Sequence, residues 1–392
     1  MAWRTVRVPA LAGGDVAELE RQLGELPTPA LLLDVERLDA NLARMQARCD
    51  ELGVALRPHA KTPKCAEVCR RQRDLGARGL TVSTLDEAEA LAAAGFDDLT
   101  WAFPLVPSRL PRARGLAERV TLRLVVDGEE AIGALEAEGF PFPVLLKVDC
   151  GYHRAGVDPA SPRALALARR LAGGPLSFEG ILSHSGHAYG VTSREGARAV
   201  AEEERRVMAE LADRLRAEGV EVPAVSVGST PAMSAVERLD GVTEARPGNY
   251  AFYDGTQVAL GSCGPADPAV TVLATVISSQ PGAGHSVIDA GALALSKDPG
   301  PAHLPGGSPW ALGAVYEDDA AYREGRPSHR HRVLSLSQEH GVVSGRLPVG
   351  TRVRVLPNHS CLAVPNFHAY QVVRGEEVVD RWPIFAGHGA GG

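Results

Sequence analysis

Between Pro27 and Gly261 the chain repeats one pattern, a short apolar β-rich run followed by a longer segment of helical periodicity. Candidate strands are Val54–Arg57, Leu80–Ser83, Leu99–Ala102, Leu122–Val126, Val144–Val148, Phe178–Ser183, Ala224–Val227 and Val242–Ala245. The segments between them, LDEAEALAAAG and PRALALARRLAGG among them, open on plausible caps (Thr84, Ser193) or close on glycine. The strand runs lack polar alternation, as expected of a parallel sheet buried on both faces. Eight such alternations predict a (β/α)8 TIM barrel over residues 27–262, in the α/β class. An open doubly wound sheet has the same rhythm, and rhythm alone does not show closure.

After about Asp267 the character changes. VTVLATVISS, HSVIDAG, RHRVLSLSQEHGVV, TRVRVLP and AYQVVRGEEVVDRW read as strands joined by short turns. They predict a second, mostly antiparallel β domain over residues 263–388, joined by residues 1–26, where Thr5–Val8 is β-rich. Lys297–Ser308 is rich in Pro and Gly and is expected to be a loop, and the Gly-rich C-terminal tail to be disordered. At 392 residues and 45% apolar composition the chain is long enough for two domains. A net charge of −7 with no Lys/Arg block argues against a nucleic-acid partner. The six cysteines are scattered without a CxxC pair, which fits reduced thiols. With no apolar leader and no run long enough to span a membrane, a cytoplasmic protein is expected.

The stretch RPHAKTPK, Arg57 to Lys64, follows the first clear barrel strand. Lys61 therefore falls at the strand's C-terminal end, where barrel active sites lie. A lysine there can form an imine with an aldehyde cofactor; a solvated loop lysine is the alternative. Farther on, VGSTP closes a strand with groups suited to a phosphate dianion, and RPGNY brings a Gly-Asn pair that could equally be an ordinary turn. In LPNHSC, His359 and Cys361 stand at i and i+2, which on a strand puts them on one face. Imidazole plus thiolate favours zinc, although a lone HxC is commonly structural. Cys65 and Cys69 at i, i+4 read as packing residues, and Glu339 and His340 in QEHG as acid/base helpers or structural residues.

Taken in order, TPALLLDVERLDANLARM, RPHAKT, TVSTLDEAE, VDCGYHRAGV, LSHSGHAYG, VSVGSTPA, EARPGNYAFYD, IDAG, QEHG and LPNHSC span nearly the whole chain. This series resembles the D-serine dehydratase/D-threonine aldolase family, fold-type III pyridoxal 5'-phosphate (PLP) enzymes related to alanine racemase. One departure is Pro63, where related sequences often carry His or Ser.

The resemblance implies that Lys61 is the Schiff-base lysine. Gly228, Ser229, Thr230, Gly248 and Asn249 would clasp the PLP phosphate. Arg154 would contact the cofactor's phenolic oxygen and Tyr189 its pyridine nitrogen, while His184 supports the ring or simply packs in the core. His-x-Cys marks the metal site of the dehydratases and His-x-Asp that of the aldolases. His359 and Cys361 therefore imply Zn2+ (or another divalent cation) and elimination. The implied activity is a D-serine dehydratase-like ammonia-lyase acting on a small-molecule D-β-hydroxy amino acid. D-threonine aldolase and 3-hydroxy-D-aspartate dehydratase are the alternatives, and a homodimer is implied.

Overall fold

The structure, a computed structural model, describes residues 21–385. The expected strand Thr5–Val8 and the Gly-rich tail from residue 386 lie outside the described residues. Two strands, Arg21–Gln22 (β1) and Ala30–Asp34 (β2), precede a helix, Val35–Glu51 (α1), whose first turn is capped by the Asp34 carboxylate.

Eight strands follow, each overlapping a predicted run. They are Ala55–Leu56 (β3), Leu80–Val82 (β4), Asp98–Pro104 (β5) and Thr121–Val126 (β6), then Pro143–Lys147 (β7), Ser177–Leu182 (β8), Ala224–Val227 (β9) and Glu244–Ala245 (β10). The helices between them are Ala66–Asp74 (α2), Leu85–Ala93 (α3), Leu110–Ala117 (α4) and Glu129–Glu138 (α5), then Pro162–Gly173 (α6), Arg194–Ala217 (α7) and Thr230–Ala235 (α8). Gly255–Ala259 (α9) comes after β10. Thr84 and Ser193 cap α3 and α7 as their sequence positions suggest, each hydroxyl accepting a backbone N–H at 3.1 Å.

All neighbours in this sheet are parallel, in the order β3-β10-β9-β8-β7-β6-β5-β4. The two ends of that path meet through a parallel bridge between His59 and Thr81. The Thr81 N–H also bonds the Pro58 carbonyl at 2.9 Å. The sheet therefore closes on itself, and the doubly wound alternative falls away.

The second sheet is built from Val270–Ser278 (β11), His285–Ile288 (β12), Gly313–Tyr316 (β13) and Val333–Leu336 (β14), then Gly341–Ser344 (β15), Arg352–Pro357 (β16), Ala369–Arg374 (β17) and Glu377–Pro383 (β18). Its helices are single turns, Ala292–Leu295 (α10), Asp319–Arg323 (α11) and Ser360–Ala363 (α12). Pairing is antiparallel except where β2 lies parallel to β17.

The strand β2 departs from the expected barrel range of 27–262. It pairs with β11 and β17 at the middle of the second sheet and takes no part in the barrel. Its side chains explain the placement. Leu31 and Leu33 face the main core, whereas Leu32 joins Leu23, Leu26, Leu273 and Val373 on the opposite face. A strand apolar on both sides needs cover on both sides, and an interior position in that sheet supplies it.

Candidate active site

The C-terminal ends of the barrel strands and the loops of the second sheet enclose a cavity of about 960 Å³. Lys61 lines it from the barrel side, and Asp298, His359 and Cys361 from the other. Such a position is where barrel folds put their chemistry.

The Lys61 loop is clamped from several directions. The Ala60 N–H bonds the Thr81 carbonyl at 2.8 Å, and the Lys64 N–H bonds Ala60 at 2.9 Å. From the second sheet, the Tyr370 hydroxyl donates to the Pro63 carbonyl at 2.6 Å and the Phe385 N–H to that of Lys64 at 2.8 Å. Lys64 has a φ of +45°, left-handed for a residue with a Cβ. Its ammonium lies on the Glu87 carboxylate in a buried ion pair, and the other Glu87 oxygen accepts the Ser83 N–H at 2.7 Å. Strain of this kind persists only where the surroundings over-determine it.

The cavity's electrostatics suit an anion. Burial, reinforced by Lys61 and Arg246, drives His59 and His184 well below the ordinary imidazole range, so both rings are neutral. Burial, then Arg246 and Arg154, brings the Lys147 amine down to about 8. The lining carboxylates do not offset this field, because Glu87 is taken by Lys64 and Asp298 by His359. Gly248 lets the backbone approach closely: a Cβ there would come within 2.9 Å of the His59 Cβ and 3.1 Å of the Thr62 hydroxyl. With Ser229 and Thr230 also lining the cavity, these groups fit a phosphate dianion.

Other expected residues fall in different places. His184 and Tyr189 line the cavity, and burial holds the Tyr189 phenol protonated, well above its ordinary range. Asn249 also lines the cavity, its side-chain amide donating to Asp254 at 2.6 Å and Ser360 at 3.1 Å and lying 3.7 Å from the Cys361 sulfur. Gly228 (φ +106°) is outside the lining, with its N–H given to buried Glu204 at 3.1 Å. Arg154 is exposed, its guanidinium 5.0 Å from the centre of the Tyr152 ring. Glu339 and His340 sit on the exposed turn between β14 and β15, outside the lining, and Cys65 and Cys69 are buried as packing residues.

His359 and Cys361 come together by a different route from the expected strand. β16 ends at Pro357; His359 is the extended residue before α12, and Cys361 lies in that helix's first turn. The change of direction is imposed by buried Asp254, which accepts the Ser360 N–H at 2.9 Å and its hydroxyl at 3.2 Å. Thr62, next to Lys61, places its hydroxyl 3.2 Å from the Cys361 sulfur. Burial pushes the thiol up, but the neighbouring imidazole more than reverses it, so Cys361 lies below the ordinary thiol value. Despite burial, Asp298 and Cys361 push His359 up to about 11. A nitrogen and a thiolate-prone sulfur fit a zinc ion; among the described residues no group of three or more His, Cys, Asp or Glu gathers as a closed cage. Two protein ligands leave positions for water or substrate.

Sequence reasoning missed Arg246, Asp298 and the Lys64–Glu87 pair. Arg246 is buried, its guanidinium bonded to the Ser226 hydroxyl and the Ser183 carbonyl. Its signal was available, since it directly follows the last barrel strand.

Residues 33–255 match the alanine racemase N-terminal domain family, and residues 269–373 the putative serine dehydratase domain. The chain belongs to the alanine racemase N-terminal domain family. Within it, the chain is 40% identical to the D-threo-3-hydroxyaspartate dehydratase of Delftia sp. (strain HT23), over 91% of this chain and 97% of that one. It is 33% identical to the D-serine dehydratase of Dictyostelium discoideum, with 91% and 96% covered. To the D-threonine aldolase of an Arthrobacter species it is 33% identical, with 93% of each covered. The solved structure of the Delftia dehydratase superposes with a TM-score of 0.89 over 94% of this chain and 100% of that one, at 40% identity. D-threonine aldolase from Filomicrobium marinum gives a TM-score of 0.81 at 28% identity, with 95% and 98% covered. These three relatives, in a fold-type III, PLP-dependent family, are thus lyases acting on D-amino acids. A variant of a D-threo-3-hydroxyaspartate dehydratase has been solved in a metal-free form, which is consistent with a metal in the family.

Proposed function

We propose that this chain is a PLP- and zinc-dependent ammonia-lyase of the D-serine dehydratase type, eliminating water from a D-β-hydroxy amino acid to leave a 2-oxo acid and ammonia. The observation that carries the reading is the opposition of Lys61 to His359 and Cys361 across one cavity, with Thr62 touching the cysteine. When bound, PLP supplies an electron sink for charge developing at Cα, and zinc supplies Lewis-acid assistance to a departing hydroxyl. Lys61 is the residue that carries the cofactor and then takes the Cα proton. Ser229, Thr230 and Gly248 would hold the phosphate, and Tyr189, kept protonated, would offer its hydroxyl to the ring. His184, held neutral, supports the ring without adding charge. Gly228 shapes the turn before Ser229, and Asn249 braces the metal side. Arg154 would have to turn inward from Tyr152 to meet the phenolic oxygen.

Cys361, in place of a carboxylate, favours elimination over retro-aldol cleavage. The substrate is D-serine or 3-hydroxy-D-aspartate, and the 40% identity to the Delftia dehydratase favours the second. Incubation with D-serine, D-threo-3-hydroxyaspartate and D-threonine tests both points. Pyruvate or oxaloacetate with equimolar ammonia is expected. Glycine with an aldehyde, and no 2-oxo acid from any substrate, would overturn the reading.

The proposal extends to a cytoplasmic homodimer. Unpaired thiols at all six cysteines support a reducing compartment. The exposed Leu293 and Leu362, on the adjoining helices α10 and α12 with Leu362 lining the cavity, support a partner there. Light scattering in solution tests the dimer. Among the described residues no helix is long and apolar enough to cross a membrane.

A further inference from the structure

We infer that Asp298 is the positioning residue for the metal, orienting the His359 ring from the loop Lys297–Ser308; this rests on the metal site proposed above. The His359 Nδ1 lies 3.0 Å from Asp298 Oδ2. A carboxylate oxygen at that distance from a ring nitrogen is the acceptor of the bond. The proton of the bond therefore belongs to Nδ1, which leaves Nε2 as the ring's donor atom for a metal. A histidine whose second nitrogen is tied to a carboxylate is fixed in tautomer and rotation and is a stronger ligand for it.

Among the described residues, the other carboxylate beside the pair, Asp254, is already engaged. Asp254 spends its Oδ2 on the Ser360 N–H and hydroxyl and on Asn249, and its Oδ1 on the Gln257 N–H at 3.0 Å. It sets the backbone between the two ligands, while Asp298 sets the ring. Asp298 is itself well held. Its Oδ1 accepts the Gly300 N–H at 2.7 Å, and its carbonyl accepts from the Asn358 amide at 3.1 Å. At the far end of the same loop the His303 ring bonds the Val191 carbonyl of the barrel at 2.8 Å, so the loop straps the cavity mouth from one sheet to the other.

The test is zinc affinity, measured on the PLP-loaded protein by competition with a chromogenic chelator. Asp298→Asn keeps the size of the side chain and an oxygen for Gly300 but removes the anionic acceptor. It should weaken zinc binding about 10- to 100-fold while the bound PLP absorbance stays unchanged. His303→Ala, which loosens the strap without touching His359, should change zinc affinity less than about threefold. Equal affinity in Asp298→Asn and wild type overturns the inference, as does an equally large loss in His303→Ala. Wild type that binds no zinc overturns the underlying metal site instead.

Discussion

The buried pair Lys64–Glu87 allows a quantitative test of how the Lys61 loop is held. The two side chains are 8% and 1% exposed, so neither charge can find water if its partner is removed. Breaking such a pair costs about 3–5 kcal/mol, most of it from the charge left behind. Glu87→Gln belongs at the lower end, because the amide oxygen can still accept the Ser83 N–H. If all 392 residues unfold together, an entropy of ~2.1 cal/mol/K per residue makes ~3 kcal/mol a fall of about 4 °C in Tm. Lys64→Met in the Glu87→Gln background removes the stranded charge and should recover about half of that fall; with Lys64→Met alone also costing ~3 kcal/mol, the coupling is about 4.5 kcal/mol. The four proteins would be melted at one fixed excess of PLP, so that ligand linkage is the same in each. A single variant within 1 °C of wild type would refute the argument. So would a double variant no more stable than Glu87→Gln alone.

Other outcomes follow from the same geometry. Lys61→Ala should abolish the near-visible absorbance of lysine-bound PLP, and survival of that band would remove Lys61 from the role. Chelation should suppress 2-oxo acid formation while leaving PLP bound; undiminished turnover in metal-free protein would end the Lewis-acid reading. At the barrel's base, burial pushes the Asp98 carboxyl up, but Arg57 and Arg123 more than compensate and hold it below 3.8. Its contribution to stability is complete above about pH 4 and is lost as pH falls through the lowered value. Wild type should therefore exceed Asp98→Asn in urea midpoint at pH 6, with the gap closing towards pH 2; a gap that widens in acid would contradict the assignment.

The barrel was legible because each of its strands is apolar on both faces and bounded by helical periodicity, both local properties. β2 was not, because ALLLD followed at once by a helix looks like a barrel unit. Which sheet it joins is decided by Val270–Leu273, far away in the chain. The chemistry of His359 and Cys361 was legible, but their geometry was not, since the turn between them is made by Asp254. Asp298 was hidden in a Pro/Gly loop whose residues announce only irregularity. The motif RPHAKTPK pointed to Lys61, whereas nothing local marked the lysine three residues on, because its buried carboxylate partner Glu87 stands 23 residues farther along the chain.

The pairing of β2 has a consequence for how the protein can be divided. A fragment cut at the apparent barrel limits, residues 27–262, would carry Ala30–Asp34 but neither of its neighbours β11 and β17. Five residues buried on every side in the whole chain would become a bare apolar strand with two open hydrogen-bonding edges, a template for self-association. The ribosome presents the same intermediate, since β2 emerges long before Val270. The barrel can close behind it, but the central strand of the other sheet has to wait for nearly the rest of the polypeptide. Expression of the isolated barrel should therefore yield aggregates unless β2 is removed as well, leaving the chain to start near Val35.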